Sequence, residues 1–159
     1  MRAWVVAAGL IAGPDGLLLV QNRRRDGSLD WSPPGGVIET HDGESITDGL
    51  TREVQEETGL HVEAWSGPVY DVEVVAEALG WTLRAEAFVA DRWSGELAVD
   101  DPDGIVVDAK WVDPDHWPTH LVTARPWVRE PIEGWLARAA LTEWRYRLDG
   151  EQVVRLHDG

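Results

Sequence analysis

The sequence predicts a domain of the α+β class, and three kinds of segment predict it. Two apolar runs, Trp4 to Ile11 and Leu17 to Gln21, flank Gly13-Pro14-Asp15-Gly16 and read as strand, turn, strand. From Ser45 to Thr58 the apolar residues recur at helical spacing, placing Ile46, Leu50 and Val54 in one stripe at ~100° per residue. Two strand pairs follow: Val69 to Ala78 with Trp81 to Ala90 around Leu79-Gly80, and Trp144 to Leu148 with Glu151 to Leu156 around Asp149-Gly150.

The 159 residues suit a single domain, residues 1–159, that buries roughly two thirds of its unfolded surface. The chain has no cysteine, which excludes disulfides and thiolate metal sites and fits a reducing, cytoplasmic setting. A formal net charge of −15 excludes a general nucleic-acid binder, because counterion release needs a positive face. A small anionic ligand is compatible with that charge where metal ions and local arginines reverse its sign. Met1-Arg2 followed by Ala3 to Gly13 has the outline of a signal peptide, but the run stops at a turn and a second apolar run follows at once. No segment reaches the ~18 apolar residues that cross a bilayer, so a soluble protein with no membrane partner is expected.

The helix carries the chemistry. Glu53, Glu56 and Glu57 stand at i, i+3 and i+4 on a face that overlaps the apolar stripe, with Glu57 projecting between Ile46 and Leu50 and Glu53 at the stripe's edge. Two carboxylates therefore point inward, where an anion costs several kcal/mol unless it is paired or binds a metal. An isolated Glu-Glu pair is ordinarily solvated, with Arg52 and Glu56 as an i,i+4 ion pair. Three features oppose that reading here: Trp31-Ser32-Pro33-Pro34-Gly35-Gly36 precedes the helix, Gly43-Glu44-Ser45 opens it, and Gly59-Leu60 closes it.

Together these residues resemble the signature of the Nudix hydrolases: a glycine, five residues, a Glu, seven residues, then Arg-Glu-aliphatic-any-Glu-Glu-any-Gly-aliphatic. From Glu44 to Leu60 every position agrees. Gly36 and Glu44 are separated by seven residues rather than five, so the loop at Thr40-His41-Asp42 is two residues longer than the signature's. The resemblance implies the Nudix fold, an α/β/α sandwich with a mixed central sheet flanked by helices and the signature box at residues 36–60. The hairpin at residues 142–157 is appended past the usual end of such domains. A sheet extension, a dimer edge that would make a homodimer, and a lid over the site all stand open for it.

The resemblance also implies a metal site and a reaction. Mg²⁺, with Mn²⁺ as substitute, is held by the Gly36 carbonyl and the carboxylates of Glu53, Glu56 and Glu57, all hard oxygen donors. Arg52 pairs with Glu44 or Glu56 and keeps the cluster in register. Water attacks phosphorus in a diphosphate bridge, with Glu53 orienting or deprotonating the water and Glu57 as principal metal ligand. A carboxylate of the loop at residues 100–103 is the alternative base. The expected partner is a small-molecule nucleotide. A (deoxy)nucleoside triphosphate stands ahead of ADP-ribose or a nucleotide sugar, because the chain lacks the extra N-terminal domain of many nucleotide-sugar members. A non-catalytic nucleotide-sensing module is the rival; the intact box and the lack of a DNA-binding element count against it.

The rest of the chain supplies lesser candidates. Gln21 to Arg25 is the densest basic run, and Arg23 is the residue chosen to meet a phosphate. His61 to Ser66 reads as a short strand or loop, Asp91 to Glu96 and Asp100 to Gly104 as loops, and Ile105 to Val112 as a strand. Helices are expected over Asp113 to Leu121 and Pro126 to Leu141, the second broken near Pro131, with Trp127, Ile132, Trp135 and Leu136 in the core. Most of the ten tryptophans are core residues in this reading, with Trp31, Trp81 and Trp93 the candidates to stack on a base. His116 and His120 have metal-pair spacing, but Pro118 lies between them and an idle pair is expected.

Overall fold

Strands far apart in sequence meet in two sheets. The computed structural model describes residues 1–157, and the last two residues of the predicted domain, Asp158 and Gly159, lie outside the described residues. The strands are β1 (Arg2–Leu10), β2 (Ala12–Gly13), β3 (Gly16–Arg23), β4 (Leu29–Ser32), β5 (Gly35–Val37), β6 (His61–Ala76), β7 (Trp81–Ser94), β8 (Val106–Val112), β9 (Glu143–Asp149) and β10 (Gln152–Leu156). The helices are α1 (Ile46–Thr58), α2 (Trp117–His120) and α3 (Pro126–Leu136). A six-stranded sheet runs in the order β10-β9-β6-β7-β1-β5, and a smaller one joins β2, β3 and β4, with β8 on β3. The large sheet is mixed: β1 runs parallel to β7 and β6 parallel to β9, while the other pairs are antiparallel.

Strand alternation gives the large sheet two apolar faces. On one, Ala7, Ile11, Val62 and Phe88 pack with Leu50 and Val54 of α1. On the other, Tyr70, Val72, Val74 and Ala87 pack with Ile132 of α3. This is the predicted sandwich of helices on a mixed sheet. Ser45 caps α1 by accepting from the Asp48 N–H, and Gly59, in the left-handed conformation at φ 80°, ends it. Among the described residues, no helix is long and apolar enough to cross a membrane.

Several segments differ from the sequence reading. Trp31 to Gly36 is no simple turn: β4 belongs to the small sheet and β5 to the large one, and Pro33-Pro34 carries the chain between them. The Pro34 carbonyl accepts from the Gly9 N–H. His61 to Ala76 is one strand with irregular register at Val62–Trp65 and Ser66–Tyr70, and Asp91 to Ser94 continues β7 because His61 to Ala64 pairs with it. The segment after β8 is broken into a 3-10 turn at Pro114–His116, the single turn α2 and a second 3-10 turn at Leu121–Thr123. Pro131 sits inside α3 without breaking it, and the helix stops at Leu136, ahead of Arg138 at φ 56°. The C-terminal hairpin extends the large sheet, with β9 alongside β6.

Gly35 is where this fold has least tolerance. It pairs with Ala8 at φ +152°, and a Cβ there would stand 2.0 Å from the Ala7 carbonyl oxygen. Gly35→Ala is expected to cost at least about 2 kcal/mol of stability, read as a lowered denaturant midpoint. An unchanged midpoint would show that β5 can slide off β1 at no cost.

Candidate active site

The site forms where α1 crosses β5. Helical spacing turns Glu57 into the sheet, where it is 7% exposed and accepts a hydrogen bond from the Gly35 N–H at 3.0 Å. Glu53, one turn earlier, lies against Gly36: a Cβ on that glycine would stand 2.9 Å from the Glu53 carboxyl carbon. The missing side chain lets the two groups meet. Arg52 holds Glu44 with a two-point fork, Nε to Oε2 at 2.9 Å and Nη2 to Oε1 at 3.0 Å. Its Nη1 reaches Glu53 at 3.2 Å and Glu56 at 3.4 Å, so both partners foreseen for Arg52 are engaged. The lengthened loop is absorbed as a 3-10 turn at Thr40–Asp42, closed by Gly43, and Glu44 also accepts from the Glu39 N–H at 3.3 Å.

Burial sets the protonation of this cluster. It pushes Glu57 up to about 9, against the lowering effect of the Gly35 N–H, and the charges of Glu53, Asp101 and Glu56 push the same way. Burial likewise raises Glu53 to about 7, with Arg52 opposing and Glu56 and Asp103 reinforcing. The hydrogen bond from Arg52 holds Glu44 below the usual carboxylate range, and the same bond keeps Arg52 firmly protonated.

The cluster opens onto a cleft of about 510 Å³. Gly35, Gly36, Glu53 and Glu57 line one side, and Tyr70, Val72, Leu83 and Ala85 of the large sheet form an apolar floor. Trp127, Val128 and Ile132 of α3 make a second wall, and Asn22, Arg24, Ser32, Asp101 and Asp103 a polar rim. An open acidic hollow of about 560 Å³, bounded by Glu39, Asp42, Glu44, Asp48 and Arg52, adjoins the cleft through Glu53 and Asp103. Asp101 caps its own loop by accepting from the N–H groups of Ile105 and Val106 at 3.1 and 2.9 Å.

The sequence candidates fall into two groups. Gly36, Arg52, Glu53, Glu56 and Glu57 are brought together, although Glu56 turns towards Arg52. Among the described residues no group of three carboxylate or imidazole side chains is placed to hold a metal ion as it stands. The oxygen-only donors, the inward pair Glu53 and Glu57, and the bare Gly36 backbone fit a hard divalent ion such as Mg²⁺. Arg23 is exposed and lies outside the cleft lining; Arg24 lines it, its guanidinium paired with Asp30 at 2.6 and 2.9 Å. Asn22 and Arg24 are two residues apart, Arg24 just past the end of β3, so period-two alternation was the available signal.

The aromatic candidates divide the same way. Trp31 meets His120 edge-on at 5.5 Å and Lys110 at 4.6 Å, Trp93 stacks on Trp111, and Trp81 packs against the core. Trp127, which the sequence places in the core, packs against it and lines the cleft as well. His120 Nδ1 is hydrogen-bonded to the His116 carbonyl.

Comparison with known proteins agrees with this geometry. The NUDIX domain model matches residues 1–134. Over 60 residues the chain is 42% identical to the 8-oxo-dGDP phosphatase NUDT18 of Homo sapiens, a stretch covering 38% of this chain and 18% of that protein. Over 59 residues it is 44% identical to a MutT-like protein of Streptomyces ambofaciens, covering 37% and 36%. The chain thus spans less than two fifths of the length of either relative. The solved structure of a NUDIX hydrolase from Nitrosomonas europaea superposes with a TM-score of 0.63 at 28% identity, over 86% of this chain and 90% of that one. Fold, box and match together define a Nudix domain. The chain belongs to the Nudix hydrolase family.

Raised carboxyl values make stability depend on pH in a definite direction. Below the ordinary value of 4.5 both carboxyls are protonated whether the chain is folded or not, and neither destabilises the fold. Above it the unfolded chain ionises first, so stability falls as pH rises through about 7 for Glu53 and about 9 for Glu57. In the presence of a chelator the melting temperature is expected to drop between pH 5.5 and 9, by roughly 2–4 °C per kcal/mol lost. Mg²⁺ should restore more of it at pH 9 than at pH 6, since cation and proton compete. A Mg²⁺ effect independent of pH would place the ion elsewhere.

Proposed function

We propose that the protein hydrolyses the diphosphate bridge of a nucleoside diphosphate linked to another group, in a Mg²⁺-dependent reaction, with (deoxy)nucleoside triphosphates as preferred substrates. The observation that carries this reading is the inward pair Glu53 and Glu57, set against Gly35-Gly36 at the wall of an open cleft. A divalent ion held by Glu53, Glu56, Glu57 and the Gly36 carbonyl supplies a lowered water pKa and neutralises charge on phosphoryl oxygens.

The chain's own residues do the rest. Glu57, fixed by the Gly35 N–H, keeps its carboxylate at the glycine turn. Arg52 holds Glu44, Glu53 and Glu56 in register from behind. Glu53 orients the attacking water and accepts its proton; the water oxygen bonds to phosphorus as the bridging P–O bond breaks, and the bridging oxygen leaves on the second phosphate. Asp101 and Asp103 also line the cleft, so comparing Glu53→Gln with Asp103→Asn separates the two sources of base. Arg24 is the cation on the cleft wall, and the apolar floor with Trp127 suits the flat, partly apolar face of a nucleobase. The human relative's name makes 8-oxo-dGDP one of the first compounds to test.

Glu57→Gln should keep the fold and lower Mg²⁺-dependent turnover by about 10²–10⁴-fold, the range for loss of a group acting directly in the reaction. Undiminished hydrolysis by that variant would remove Glu57 from the site. The substrate class is read from phosphate and pyrophosphate release with nucleoside triphosphates, 8-oxo-dGDP, ADP-ribose and nucleotide sugars. Turnover confined to ADP-ribose or a nucleotide sugar would overturn the triphosphate preference, and tight binding without release would make the protein a nucleotide sensor.

A further inference from the structure

The cleft wall made by α3 is held on one side by a hairpin that lies beyond the matched residues 1–134. We propose that this hairpin sets the position of α3 and with it the fit of the cleft around the substrate's nucleoside portion, with Tyr146 as the positioning residue. The proposal rests on the functional reading above.

Three contacts join hairpin to helix. Tyr146 of β9 and Arg155 of β10 face one another in register, and both reach Glu130 of α3. The Tyr146 hydroxyl donates to Glu130 Oε1 at 3.0 Å, and Arg155 Nη1 lies 3.9 Å from Oε2. Tyr146 is 1% exposed, so water competes little for this charge-assisted bond. One turn on, Gly134 lies against Trp144 of β9: a Cβ there would stand 2.8 Å from Cζ2 and 3.3 Å from Cη2. The Arg155 guanidinium covers the same indole, 4.3 Å from its ring centroid. Among the described residues the buried Trp144 Nε1 has no hydrogen-bond partner. A buried donor left unpaired costs about 1–3 kcal/mol, so the indole serves this place by its shape and area.

Helix geometry carries these contacts to the cleft. Trp127, Glu130 and Gly134 stand at i, i+3 and i+7 and form a single stripe of α3. The hairpin grips the last two, and the first lines the cleft. A rotation or slide of α3 on the hairpin therefore moves Trp127 against the substrate. The hairpin is tied to the cleft floor as well, since Trp144 and Tyr146 pair with Val72 and Val74 of β6, and Val72 lines that floor. None of these contacts touches Glu53 or Glu57. The expected consequence is an effect on binding of the nucleoside portion, with the chemical step left alone.

The test uses the full chain and two variants, Tyr146→Phe, which deletes one hydroxyl, and Gly134→Ala, which pushes on Trp144. Amide hydrogen exchange should quicken in Pro126–Leu136 and stay unchanged in Ile46–Thr58. KM for a nucleoside triphosphate should rise about 3–10-fold with kcat within about twofold, as expected when an interaction common to ground and transition states is weakened. The inhibition constant of inorganic tripolyphosphate, which has no nucleoside, should not move. Unchanged KM and unchanged α3 exchange in both variants would overturn the proposal. So would a parallel rise in the tripolyphosphate constant, or faster exchange throughout α1, since either marks general loosening. If the unaltered protein turns over no nucleotide, the functional reading fails, and unchanged α3 exchange in the variants would separately refute the hairpin's hold.

Discussion

The site depends on one close approach, that of Glu57 to the backbone of Gly35. An inward carboxylate on a packed helix must find a donor or a cation, and the backbone donor it takes here is on a strand that itself sits hard against β1. The two requirements meet in glycine, because Gly35 touches the Ala7 carbonyl on one side while its N–H serves Glu57. Gly36 leaves room for the Glu53 carboxyl, which a Cβ there would meet at 2.9 Å. Arg52 then makes the arrangement tolerable by answering three carboxylates at once, including the fork to Glu44. Fold and chemistry are thus linked at one place: moving β5 off β1 removes the donor for Glu57 and the bare backbone beside Glu53 together.

The opposite side of the cleft is assembled differently. Asn22 comes from the end of β3 and Arg24 from just past it, and the loop bearing Asp101 and Asp103 is brought to them by β8, which pairs with β3 up to Asn22. The Arg23 N–H donates to the Ile105 carbonyl and ties that loop to the strand end. Asn22 is nearly buried, and its amide donates to Asp30 and Ser32 at 3.1 and 2.9 Å, so the rim is held by side chains from β3 and β4. This wall is tied together by the pairing of β3 with β8, whereas the α3 wall rests on side-chain contacts to the sheet and hairpin.

What the sequence discloses follows from how local each interaction is. The box helix and its inward carboxylates are legible because period, cap and glutamates lie within one stretch, and the structure places Ser45, Gly59, Glu53 and Glu57 where that period demands. β4 and β5 are not legible: Trp31 to Gly36 has the composition of a turn, and its strand character comes from partners at Val20–Arg23 and Val6–Ala8. Asp91 to Ser94 has the same origin, a polar segment made a strand by pairing with β6. The alanine-rich stretch after Leu136 has helical propensity, yet the chain must turn back to place β9 beside β6, with the Thr142 carbonyl already accepting from the Asp71 N–H. Trp127 packs against the core as its spacing says, but its second place at the cleft is not legible, because apolar spacing along α3 says which face is buried, and a cleft wall and a core look alike by that measure.

Charge gives the last connection between site and function. The cleft is lined by Glu39, Glu53, Glu57, Glu86, Asp101 and Asp103 against a single arginine, Arg24, so six carboxyl groups face one guanidinium. A polyphosphate entering alone would meet this wall of like charge. Burial offers one partial answer, since Glu57 and Glu53 are driven towards their neutral forms when no cation is bound. Under the proposed function a divalent ion would offer the other, taking the place of those protons and giving an anion a positive partner at the same carboxylates. A net charge of −15 is therefore compatible with a small phosphorylated ligand, provided that ligand and cation are bound together.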